Sequence, residues 1–108
     1  MGMERRESQR KELEVIVHFY FHGHEKVFAS KTRNISLSGL CIQAGTEVLS
    51  KMNLGGTVTV FLEYVPNYLL KLKGYVVRCG SAPGEMDGFA VKFLEVDETQ
   101  RETISKLL

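Results

Sequence analysis

The sequence predicts an all-β protein: a small six-stranded antiparallel barrel with one C-terminal α-helix. Two observations lead to that class. Short segments alternate apolar and polar residues with period two, and clusters of Gly, Pro, Asn and Ser punctuate them. The chain then ends in a different pattern, an Asp-Glu-Thr-Gln cap followed by apolar residues at helical spacing.

The elements follow in chain order. Residues 1–12 are polar, carry Arg5, Arg6, Arg10 and Lys11, and show no apolar periodicity. They are expected to form a mobile arm ahead of a barrel domain at 13–108. From Leu13, the residues Leu13, Val15, Val17, Phe19 and Phe21 define the inner face of a first strand. His22-Gly23-His24-Glu25 reads as a hairpin turn, and Lys26 to Thr32 as the return strand. Asn34 to Gly39 reads as a turn, and Leu40 to Ala44 as a strand. Gly45 and Gly55-Gly56 are breaks, and Thr57 to Val65 is a strand rich in Val, Thr and Phe. Pro66-Asn67 turns the chain into Leu69 to Cys79, where Lys71 and Lys73 face away from Leu70 and Leu72. Residues 80–84 form a loop, and Met86 to Val96 is the last strand, with Phe89, Val91 and Phe93 on one face. Asp97 and Gln100 form a capping box for a helix carrying Ile104, Leu107 and Leu108.

Composition narrows the function. A chain of 108 residues has room for one core and no large enclosed active site. The net charge of +1 gives no global field to recruit nucleic acid or an anionic membrane. No apolar run is long enough to span a bilayer, and the charged N-terminus has no secretory pattern. Cys41 and Cys79 are too few for a disulfide framework, so reduced thiols and a cytoplasmic location are expected. His18, His22 and His24 lack a supporting acidic or Cys ligand, so no metal site is assigned. Ser36 and Ser38 sit in no nucleophile elbow, and no catalytic set is visible.

Two patterns carry chemistry. Arg6 and Arg10 place two guanidiniums four residues apart, each a planar fork suited to phosphate or to a guanine edge. Asn34, Ser36 and Gly39 put an amide, a hydroxyl and a glycine at fixed offsets in a turn. The glycine is expected to permit positive φ and a close backbone approach to ligand. A basic fork facing a polar turn suits an anionic, guanine-bearing ligand.

In this order the two patterns resemble the signature of the PilZ domain family, RxxxR followed by [D/N]xSxxG. Asp87-Gly88-Phe89-Ala90-Val91-Lys92-Phe93 and the terminal helix also look like that family's closing elements. The resemblance covers nearly the whole chain. It implies a split PilZ-type barrel and a binding module for cyclic di-GMP, without a cofactor. Arg6 and Arg10 would grip phosphate and the Hoogsteen edge of guanine. Asn34 and Ser36 would meet another guanine edge and nearby phosphate, and Gly39 would shape the turn. Asn34 stands where a carboxylate would accept from two guanine N–H groups, and it offers only one carbonyl acceptor. Arg5, preceding the motif, implies two intercalated ligands per chain. The resemblance also implies an effector protein that the sequence does not name. Two other readings are a nucleic-acid-binding barrel of OB type and a PilZ-fold scaffold that binds no nucleotide. Against the first, the aromatic residues are expected mostly at inward strand positions.

Overall fold

A computed structural model describes residues 11–66, 68–78 and 88–108. It contains β1 (Lys11–Glu12), β2 (Ile16–Phe21), β3 (Phe28–Ile35), β4 (Gly39–Gln43) and α1 (Thr46–Leu49). These are followed by β5 (Thr57–Val65), β6 (Tyr68–Val77), β7 (Gly88–Phe93) and α2 (Glu98–Leu107). All strand pairs are antiparallel, in the order β1-β3-β2-β5-β6-β7-β4, and a β3–β4 pairing joins the ends. β1 and β2 both lie along one edge of β3, against Asn34–Ile35 and Phe28–Lys31 respectively. They therefore act as one interrupted strand, and the ring closes as a six-stranded barrel.

Alternation sets the inside. Val17, Phe19 and Phe21 of β2, Val58, Val60 and Leu62 of β5, and Phe89 and Val91 of β7 are buried in one cluster. Phe19 stacks on Phe28 at 5.6 Å and meets Phe89 edge-on at 5.5 Å, an offset geometry that favours aromatic contact. The capping box forms as expected: Gln100 N donates to Asp97 Oδ1 at 2.7 Å and Asp97 N to Gln100 Oε1 at 2.8 Å. Gln100 Nε2 also donates to the Lys71 carbonyl at 2.8 Å, which ties α2 to β6 while Ile104 enters the core.

Several expectations need correction. The polar arm does not run to residue 12, because Lys11 and Glu12 form β1 against Ile35 and Asn34. Regular pairing of the first strand starts at Ile16 rather than Leu13. Thr32 patches the interruption between them: its buried hydroxyl donates to the Leu13 carbonyl at 2.5 Å and accepts from Val15 N at 3.0 Å. β3 starts later than Lys26 and runs on through Asn34 and Ile35, two residues expected in the turn. The four-residue helix α1 was not expected. Its Glu47 pairs with Lys26 at 2.5 Å on the exposed surface, and the Lys26 hydrogen bond and charge hold the carboxyl below its ordinary range. Such an exposed pair adds little to stability. The aromatic residues are mostly inward, as expected: Phe19, Phe21, Phe28 and Phe89 lie in the core, and Tyr64 and Phe93 pack against it. Tyr20, Phe61 and Tyr75 are half-buried on the outer face, with Tyr20 stacked 5.5 Å from His22 and 6.5 Å from Phe61. The expected loop at 80–84 and Cys79 lie outside the described residues.

Candidate functional site

The site is built around the β3–β4 hairpin. Ser36 N donates to the Gly39 carbonyl at 2.8 Å and closes the turn. The Ser36 side chain is buried, and its oxygen accepts from Ser38 N and Gly39 N, each at 3.2 Å. One hydroxyl thus satisfies two amides at the hairpin tip. That is the local reason for a serine here, since a short polar side chain can bond its own backbone. Ser38 O accepts from Phe93 N at 2.9 Å and anchors the tip to β7.

A register shift between Thr32 and Asn34 aims the next side chain. Thr32 pairs with Ile42, and Ile35 pairs with Leu40; all four face the core. Period two alone would put Asn34 on the same side as Thr32. The irregularity at Arg33 inserts one residue and turns Asn34 outward, opposite Cys41.

Gly39 holds its place for a reason other than the expected one. Its φ is not positive; among the described residues only Gly23, Gly55 and Glu95 have positive φ. Instead it lies in β4 opposite Lys92, and a Cβ there would run into the Val91 carbonyl oxygen. The close approach is between two strands of the barrel.

Asn34, Ser36, Ser38 and Gly39 border a cleft of about 170 Å³ on the outer face, whose other wall is Val77, Ala90 and Lys92. The structure thus brings Asn34, Ser36 and Gly39 together at one opening. Arg5, Arg6 and Arg10 lie outside the described residues, as does the rest of the expected arm before Lys11. Lys92, an exposed cation on this opening, was missed by motif reasoning. Period two with outward Ala90 and Lys92 was the available signal. Among the described residues, no group of three or more His, Cys, Asp or Glu could hold a metal ion. His22 Nε2 sits 2.8 Å from Thr59 Oγ1. No helix among these residues is long and apolar enough to cross a membrane.

A closed antiparallel barrel with a polar hairpin opening onto an outer-face cleft defines the class of architecture. The sequence profile of the PilZ domain matches residues 4–108, and the chain belongs to that family. No curated protein gives a significant match. Among solved structures, the Bacillus subtilis inhibitor of motility MotI/DgrA is similar with a TM-score of 0.79 and 14% identity, over 97% of this chain and 49% of that one. The PilZ domain of YcgR from Escherichia coli, solved with c-di-GMP, gives 0.74 and 11%, over 96% and 88%. The K. pneumonia MrkH–c-di-GMP complex gives 0.70 and 13%, over 97% and 51%. The chain therefore spans about half the length of the MotI/DgrA and MrkH chains.

Proposed function

We propose that this protein is a bacterial cyclic di-GMP receptor, acting in the cytoplasm, whose ligand lies on the outer face of the barrel between the N-terminal arginines and the β3–β4 hairpin. The observation that carries the reading is the convergence of Asn34, Ser38 and Gly39 on one polar-edged cleft. The two similar domains solved with c-di-GMP support it. So does connectivity. Lys11 pairs with Ile35, next to Ser36, so the Arg6–Arg10 motif is joined to the barrel beside this turn.

In this mechanism Arg6 and Arg10 pair with phosphate and guanine as bidentate donors. Asn34 presents its amide to a base edge. Ser36, with its hydroxyl engaged by two tip amides, positions Ser38 and Gly39 around the ligand. Ordering the segment before Lys11 changes the surface offered to an effector protein.

Calorimetry with cyclic di-GMP tests the reading. Arg10→Ala is expected to weaken binding at least about tenfold, the loss of a charge-assisted contact, with an unchanged circular dichroism spectrum. Equal affinity in wild type and variant would overturn the assignment. Amide hydrogen exchange tests the switch: residues 1–10 are expected to gain protection with ligand, and equal protection in both states excludes it.

One observation favours a second reading. The outward rings of Tyr20, His22 and Phe61 resemble a stacking surface for single-stranded nucleic acid. A gel shift with single-stranded RNA separates the two.

A further inference from the structure

The outer face of a small antiparallel barrel is ordinarily polar, because it meets water while the opposite face meets the core. Across β2, β5 and β6 this pattern fails. Strand register sets His18 beside Phe61 and Phe61 beside Lys71. The row on one side sets Tyr20 beside Thr59 and Thr59 beside Lys73. The row on the other sets Lys31 beside Ile16 and Glu63 beside Leu69. Period two puts all of them on the face opposite Val17, Val60 and Leu72 of the core. Ile16 is 46% exposed and Leu69 is 56% exposed, and the half-buried ring of Phe61 stands on the strand between theirs.

The margins of this apolar strip are basic. Lys31 stands on the β3 side, and Lys71 and Lys73 on the β6 side, all exposed. Among the described residues none of the three pairs with a carboxylate. The acid within these rows is Glu63, so three lysines against one glutamate leave the face at a formal +2, more than the +1 of the whole chain. The face is separate from the cleft at the β3–β4 hairpin, which draws no residue from β2 or β5.

Two features select the occupant. Single-stranded nucleic acid would find Tyr20 and Phe61 lying against each other at 6.5 Å, while the more exposed groups, Ile16 and Leu69, are aliphatic and offer no π-face to a base. A second copy seated on the same face by two-fold symmetry would bring two positive surfaces together. A protein segment with apolar side chains flanked by Asp or Glu is complementary in both respects. We propose that the outer face of β2, β5 and β6 docks such an acidic segment of a partner protein. Ile16, Phe61 and Leu69 make the apolar contact, and Lys31, Lys71 and Lys73 are rim charges that steer the segment and fix its register. The inference stands apart from the cyclic di-GMP reading, since ligand and partner use different faces.

Two probes test it on the full chain by amide NMR: a helical peptide with a leucine stripe flanked by glutamates, and its twin with lysine in place of every glutamate. The glutamate peptide is expected to shift the amides of Phe61, Leu69 and Lys71 and to leave those of Asn34 and Ser38 in place, with affinity falling as salt rises. Leu69→Ser and the double variant Lys71→Glu/Lys73→Glu are each expected to weaken it at least about fivefold with an unchanged circular dichroism spectrum. The double variant is expected to take up the lysine peptide instead. Equal binding of the two peptides by the wild type, shifts confined to other surfaces, or wild-type affinity in either variant overturns the docking face. Single-stranded RNA that shifts these amides where the glutamate peptide does not would make the face a nucleic-acid surface and overturn the proposal. A dimer in sedimentation that Leu69→Ser disperses would overturn it too. Calorimetry with cyclic di-GMP reports on the receptor reading alone, and both variants are expected to keep wild-type affinity there.

Discussion

Gly39 has a steric task inside the barrel as well as a place in the signature. The Val91 carbonyl occupies the space a Cβ would need, and backbone cannot swing aside as a flexible side chain does. Gly39→Ala must therefore push β4 away from β7, and a loss of about 2–3 kcal/mol in urea unfolding is expected, the scale of overpacking in a tight contact. The change should also lower affinity for any ligand in the cleft, since Gly39 borders it. A variant as stable as wild type would show that the two strands can separate at little cost. Ser36 illustrates a second point at this scale. The motif pattern identified the residue but not its task, because the engagement of its hydroxyl by Ser38 N and Gly39 N depends on how the hairpin closes.

Elements show where sequence reasoning reaches and where it stops. Thr57 to Val65 was legible to the residue, since nine consecutive strand-forming positions lie between a glycine pair and a proline. The Asp97–Gln100 box was legible because its physics is local. The strand break at residues 13–15 was not, because the alternation of Leu13, Val15 and Val17 continues through it. What replaces the missing ladder bonds is a side chain 17 positions away from Val15, the Thr32 hydroxyl. Thr32→Val keeps the shape and removes both bonds, leaving a donor and an acceptor unmet. A loss of about 1–3 kcal/mol in urea unfolding is expected, and no change would mean that water fills the gap. The bulge at Arg33 was equally hidden. It arises from pairing with β4 and leaves no mark in the alternation of β3 itself, yet it decides that Asn34 faces the cleft.

For the molecule as a whole, the near-neutral charge makes recognition a local matter. The Arg5 position matters here. Two stacked cyclic dinucleotides carry four phosphate charges, and a third guanidinium beside Arg6 and Arg10 offsets that repulsion and offers another planar surface. Calorimetry is expected to saturate at two ligands per chain, with Arg5→Leu moving the ratio toward one. A clean ratio of one in the wild type would contradict this and leave the receptor reading intact.

Register aligns Asn34 with Cys41, Cys41 with Ala90 and Ala90 with Val77, and this outward row bears on how the chain assembles. The β3–β4 and β5–β6 pairs are each neighbours in sequence and can form early, whereas Cys41 and Ala90 meet only when β7 bridges β4 and β6 to close the ring. The cleft lies across that closing seam and does not exist until the last strand has docked. A ligand held there acts as a clasp on the finished barrel. On the cyclic di-GMP reading, a hundredfold excess of ligand over its Kd would add about 2.7 kcal/mol against unfolding, so ligand level would also set how firmly the barrel stays closed.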